Sequence, residues 1–120
     1  MPITRAPLPV VIPPIIVVTT PVFASTSVVA GVAASGVVAT LLVANAGRLG
    51  MTITNPPGGG ASGRLFVKLG AAATLVDYSF FLDPGDIYNA PEGVTIYTGI
   101  ITAILNSAGP RTIRTTELTA

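Results

Sequence analysis

Four of the five acidic side chains, Asp77, Asp83, Asp86 and Glu92, fall in one stretch of the chain, and carboxylates gathered in this way suggest either a hard cation or general acid/base work. Calcium takes about six to eight oxygen ligands. An Asp83-Pro84-Gly85-Asp86 loop could supply some of them, but the spacing is not that of a twelve-residue calcium loop. Aspartates that form turns account for Asp83 and Asp86 more simply. An acid/base pair needs two carboxylates whose environments push their pKa values apart, and no periodicity here sets two of them on one buried face. Gly58-Gly59-Gly60-Ala61-Ser62-Gly63 has the letters of a dinucleotide fingerprint. That chemistry requires a strand before and a helix after, whereas here two prolines precede and an alternating β-pattern follows, which predicts a hairpin loop. Arg48, Arg64, Lys68, Arg111 and Arg114 are read as a solvated or interface rim, with Arg64 and Lys68 on one strand face and Arg111 and Arg114 on different ones. Tyr78, Tyr88 and Tyr97 could stack on sugars, but in a β-domain they serve more simply as core or rim residues.

Composition narrows the chemistry further. The 120 residues contain no His and no Cys, which removes the commonest acid, base and metal ligand near neutral pH, and with it any disulfide or thiolate site. An enzyme is not expected, and no cofactor or metal is expected. The formal net charge is +1, too small a surplus to hold a polyanion by counterion release, so no specific nucleic acid is expected as a partner. Half of the residues are hydrophobic and only 9% are charged, the opposite of a disordered composition. One domain's worth of chain must therefore fold or assemble.

The elements that would position these residues are strands. Leu49, Met51 and Ile53 alternate with Gly50, Thr52 and Thr54, and the run stops at Asn55-Pro56-Pro57. Leu65, Val67 and Leu69 face a core while Lys68 faces out. Val76, Tyr78, Phe80 and Leu82 form one face of the next segment, which the Asp83 to Asp86 turn ends. Ile87 and Tyr88 make a short edge before Pro91. Thr98 to Leu105 has apolar residues on both faces and is expected to be central. Arg111 to Leu118 closes the domain. With Ser35 to Ala44, and with Thr26 to Val32, this predicts an all-β chain: a single β-sandwich, jelly-roll or Ig-like, of about seven to eight strands.

From Ala6 to Gly47 no charged side chain occurs, so this run needs cover. A spanning helix over Val28 to Ala44 sits at the lower length limit. Gly31, Ser35, Gly36, Thr40 and the β-branched Val28, Val29, Val32, Val37, Val38 and Val43 oppose it. A leader ending at Val22-Phe23-Ala24 before Ser25 is opposed by Pro7, Pro9, Pro13, Pro14 and Pro21, which break the helix an apolar leader core adopts. A membrane partner is accordingly not expected. What remains is an extended, proline-rich N-terminal arm, residues 1–24, followed by the β-domain, residues 25–120. In the arm Val10, Val11, Ile12, Ile15, Ile16, Val17 and Val18 seek apolar contact. Extended, such an arm spans roughly 80 Å at about 3.3 Å per residue, far enough to reach a neighbouring subunit.

Five lines of the body carry a resemblance: Ala44-Asn45-Ala46-Gly47-Arg48, Thr52-Ile53-Thr54-Asn55, Leu65-Phe66-Val67-Lys68-Leu69-Gly70, Tyr78-Ser79-Phe80-Phe81-Leu82 with Pro84-Gly85, and Tyr97-Thr98-Gly99-Ile100-Ile101. Over about Asn45 to Leu118 the chain resembles small virion structural proteins of tailed bacteriophages. The resemblance implies a non-enzymatic capsid decoration (cement) or minor head protein in several copies. Its partners would be the major capsid protein or other virion subunits and itself, as a trimer, in a virion assembled in the host cytoplasm. The alternatives are a tail, vertex or fibre β-module that binds carbohydrate through Tyr78, Tyr88 or Tyr97, and a β-domain anchored in a membrane by Val28 to Ala44.

Overall fold

The structure is a computed structural model that describes residues 26–58, 63–90 and 96–120. The expected arm, with Val10, Val11, Ile12, Ile15, Ile16, Val17 and Val18, lies outside the described residues, as does Glu92. Eight strands follow in order: β1 (Thr26–Ala34), β2 (Ala39–Leu42), β3 (Arg48–Thr54), β4 (Leu65–Leu69), β5 (Phe80–Leu82), β6 (Ile87–Ala90), β7 (Ile101–Leu105) and β8 (Arg111–Thr119). They form two four-stranded antiparallel sheets, β1-β8-β3-β6 and β2-β7-β4-β5. The described residues contain no α-helix. The all-β expectation holds.

The pairing is nested. β1 pairs with β8, β2 with β7, β3 with β6 and β4 with β5, as if one long hairpin with its tip between β4 and β5 had been folded over so that successive pairs alternate between the sheets. The contacts of β3 with β8 and of β4 with β7 then stitch neighbouring pairs together. One connection therefore differs from the sequence expectation. β3 and β4 lie in different sheets, so the glycine-rich run between them does not join a hairpin. The Asp83 to Asp86 turn likewise carries the chain from β5 back to the first sheet. In that turn Asp86 N donates to Asp83 O at 2.9 Å and Gly85 has φ +93°, the region a type II turn requires at its third position and only glycine enters freely.

The alternation read from the sequence decides which side chains turn inward. Leu41, Met51, Ile53, Leu65, Val67, Leu82, Ile101, Ala103, Leu105 and Ile113, drawn from both sheets, merge into one buried cluster. Each large member contributes on the order of 1.5–3 kcal/mol by leaving water. β7 is central in its sheet and buried on both faces, as expected. Its outer face is covered because Thr102 Oγ1 donates to Gly70 O (2.7 Å) and accepts from Ala73 N (3.0 Å), tying the segment after β4 across it.

Three strands are shorter or less regular than the alternation predicts. The expected Val76 to Leu82 strand contracts to β5, because Thr74 Oγ1 accepts from Val76 N (3.3 Å) and Asp77 N (2.8 Å) and bends the chain there. Val76 is left 91% exposed. The Ser35 to Ala44 strand contracts to β2, with Val37 N bonded to Ser35 Oγ and a register shift between Thr40 and Leu42. In β3 a register shift between Arg48 and Gly50 bulges Leu49 out of line, so it is only half-buried while Met51 and Ile53 are fully inside. Val28 to Ala44, weighed above as a spanning helix, forms most of β1, a bend and β2.

Candidate assembly surface

Among the described residues, the aspartates singled out for chemistry are held in ion pairs and turns. Asp83 accepts from Arg64 Nε at 2.7 Å and Nη2 at 3.3 Å. This hydrogen bond and, less strongly, the charge of Asp83 hold the Arg64 guanidinium above its ordinary pKa. Asp86 Oδ2 accepts from Asp83 N at 2.9 Å within the turn, and Asp77 pairs with Lys68 at 2.6 Å. Among the described residues no three His, Cys, Asp or Glu side chains converge as metal ligands. The tyrosines are dispersed. Tyr78 packs edge-on against Phe66 at 4.8 Å, whereas Tyr88 stacks on Phe80 at 4.3 Å beside the core.

The basic residues do not make a common rim. Arg48 is the clearest correction: it is fully buried, with Nε on Glu117 Oε2 at 2.8 Å, Nη1 on the carbonyls of Tyr97 (2.9 Å) and Gly99 (3.0 Å), and Nη2 on Val43 O at 2.6 Å. Asn45 Nδ2 donates to the other carboxylate oxygen of Glu117 at 2.8 Å. A planar guanidinium with donors fixed in a fork suits such a hub, which pins the 43–47 and 97–99 loops to the end of β8. Arg111 acts similarly at the opposite end, donating to the carbonyls of Pro56 and Gly58 (the latter at 2.5 Å) and to Asn55 Oδ1 at 3.2 Å. Asn55, fully buried, donates onward to Gly63 O (2.7 Å) and Leu82 O (2.8 Å). Neither hub was visible as such in the sequence. The only local hint was that Arg48 follows Asn45-Ala46-Gly47, a turn whose Asn45 Oδ1 accepts from Gly47 N.

What is left open is an edge. Of the four sheet edges, β2, β5 and β6 are protected by shortness, with 4, 3 and 4 residues. β1 has 9 residues, no charge and no proline, and among the described residues it pairs only on its β8 side. Residues opposite one another in a ladder share a face. By register Val28, Ala30, Val32 and Ala34 lie on the inner face with Ile113 and Thr115, and Val29 and Gly31 on the outer face. Burial nevertheless falls along the inner face, from the fully buried Ala34 through the half-buried Val32 to Val28 at 57% exposure. Thr26 to Gly31 thus project beyond the covered core and are exposed on both faces. The outer face of the same sheet adds Thr52, Thr54, Thr112 and Thr116, with Arg114 its only charge among the paired residues of β1, β3 and β8.

A smaller apolar area lies on the outer face of the second sheet, where Phe81, 43% exposed, neighbours Phe66 at 6.2 Å and carries the Arg64 guanidinium over its ring at 4.2 Å. No helix among the described residues is long and apolar enough to cross a membrane. Comparison of the chain with protein-family models, with curated proteins and with solved structures returns no match, so the reading of its function stands on these surfaces and on the sequence.

Proposed function

We propose that this chain is a non-enzymatic structural subunit of a virion, a capsid decoration or minor head protein whose N-terminal arm, residues 1–24, binds the major capsid protein or other neighbouring subunits. The nested strand pairing supports reading the two sheets as a jelly-roll sandwich, an architecture used by capsid proteins and also by lectins and cupins. The fold therefore leaves the function to the surface. The observation that carries the reading is β1: a long, uncharged edge strand, unprotected by any described strand, that lies in the same charge-free run, from Ala6 to Gly47, as most of the arm. A sheet edge of this kind is a liability in an isolated domain and an asset in an assembly. The particle itself is drawn from the resemblance of Asn45 to Leu118 to phage virion proteins.

A second reading, a carbohydrate-binding module of a tail or fibre, draws on Tyr78, Phe66 and Phe81 beside Arg64. It lacks the convergence of Tyr88 and Tyr97 that a three-tyrosine platform would need. The two readings separate in one experiment. Deleting residues 2–20 leaves the β-domain folded by circular dichroism and abolishes attachment to particles, while glycan binding is unaffected by the deletion. A truncated chain that attaches with unchanged affinity would sink the assembly reading.

A further inference from the structure

We infer that the edge of β1 left unpaired among the described residues receives a strand from a second copy of this chain, Ile15-Ile16-Val17-Val18-Thr19-Thr20, paired antiparallel with Thr26 to Gly31. The inference rests on the reading of residues 1–24 as an assembly arm and names the surface and the partner. On the acceptor side, the six residues of β1 that are exposed on both faces are Thr26 to Gly31. On the donor side, the longest proline-free stretch of the arm has the same length, Ile15 to Thr20, bracketed by Pro14 and Pro21. All six of its residues are β-branched, the class that best fits a pleated surface. Proline cannot donate to a ladder, so the pairing ends where the two prolines stand.

The antiparallel register puts Val17 opposite Val29, Val18 opposite Val28, Thr19 opposite Ser27 and Thr20 opposite Thr26. Like therefore meets like, and the small Gly31 receives Ile15. Pro14 falls opposite Val32, where β1 begins to sink into the covered core. The added side chains cover Val28 and Val29, which are 57% and 62% exposed in the single chain.

A strand folding back on its own β1 would have to reverse between residues 20 and 26. The residues available, Pro21-Val22-Phe23-Ala24-Ser25, include no Gly, Asn or Asp, which disfavours the tight two- and three-residue hairpin turns that need a positive φ. Continuing along the axis of β1 instead carries Ile15 to Thr20 away from their own edge and toward another copy. The register is self-complementary about Phe23: where one copy's arm lies on its partner's β1, the partner's arm lies on the first copy's β1. The closed unit is a two-fold dimer with two equivalent ladders, in place of the trimer expected from the resemblance.

The chain has no cysteine, so the test is clean. Full-length Val17→Cys and Val29→Cys variants are prepared separately, mixed, oxidised and run without reductant. The mixture is expected to give a covalent dimer as its main product. Neither variant alone does so, because in this register the two copies of position 17 stand roughly 40 Å apart, about 3.3 Å for each of the intervening residues. A faster-migrating, internally cross-linked monomer from the Val17→Cys/Val29→Cys double variant, with no dimer from the mixture, would mean that the strand folds back in its own chain and would overturn the proposal. So would the absence of any cross-link. Independently, Val17→Pro, outside the β-domain, is expected to weaken self-association at least tenfold in sedimentation at unchanged circular dichroism, and unchanged association would count against the pairing. The two readings fail separately. If cross-linking fails while residues 2–20 are still required for particle attachment, only the homotypic pairing falls; if the cross-link forms and the truncated chain still attaches, only the particle reading falls.

Discussion

Replacing Arg48 by methionine keeps much of the side chain's bulk and removes its charge and every donor. Four partners lose their hydrogen bond: Glu117, which sits with 16% of its side chain exposed, and the carbonyls of Val43, Tyr97 and Gly99. Among the described residues Glu117 keeps only Asn45. Breaking a buried ion pair from one side costs about 3–5 kcal/mol, because the remaining charge stays desolvated and uncompensated. The lower end of that range suits this site, since Glu117, the charge left behind, keeps partial exposure and its bond from Asn45. For a domain of this size about 3 kcal/mol corresponds to a fall in Tm on the order of 10 °C or more. The assay is urea unfolding of the full chain at fixed concentration, because self-association would shift the apparent midpoint. The control is Arg48→Met with Glu117→Leu, which removes the orphaned carboxylate. The double variant is expected to be more stable than Arg48→Met alone by about 1 kcal/mol or more, a coupling that only shared burial produces. The effect extends to the assembly surface, since Glu117 is opposite Val28 in the β1–β8 register. A loss below about 1 kcal/mol for Arg48→Met, or strict additivity in the double variant, would refute the account of Arg48 as a buried hub.

Asn55→Ala should cost about 2–4 kcal/mol in the same assay, because the carbonyls of Gly63 and Leu82 and the Arg111 guanidinium lose a buried partner together. Gly109→Ala should lower Tm measurably: the residue has φ +60° and an added Cβ would stand 2.8 Å from the carbonyl oxygen of Ala34, a backbone atom that cannot swing aside. Asp83→Asn, by contrast, should leave the midpoint within error of the wild type in 0.5 M salt. The Arg64–Asp83 pair is half-exposed, and ions screen such pairs. An arginine is charged well above neutral pH in any case, and Asp83 shifts the Arg64 pKa further upward. Its contribution is therefore complete throughout the ordinary range, and a pH scan from 6 to 9 should show no step from this pair.

Much of the inward-facing set was legible because period-two alternation is a local property. Met51 and Ile53, Leu65 and Val67, and the doubly covered β7 are where the pattern puts them. The failures are equally physical. Thr74 pulled two backbone amides onto its hydroxyl and ended an alternation that ran on in the letters from Val76 to Leu82. The shift at Leu49 displaced one residue of a run that otherwise kept its phase. Arg48 reads as a surface cation, since nothing local announces that two carbonyls from the distant 97–99 loop and a carboxylate from β8 will join the nearby carbonyl of Val43 on it.

By itself the sequence determined the class of structure and the kinds of chemistry left aside. Strand-forming residues between Gly, Pro, Asn and Asp breaks dictate an all-β chain. The lack of His and Cys and the small net charge set the expectations about catalysis and polyanion binding. The tertiary structure alone decided which sheet each strand joins. Alternation says which side of a strand turns inward and is silent about which strand lies beside it, and neighbours come from positions far apart, such as Thr26 with Thr119. The status of β1 was settled in the same way. Its letters match those of a core strand, and the shortness of the cover over its first six residues leaves the inner-face Val28 in water, while Val29 lies on the outer face.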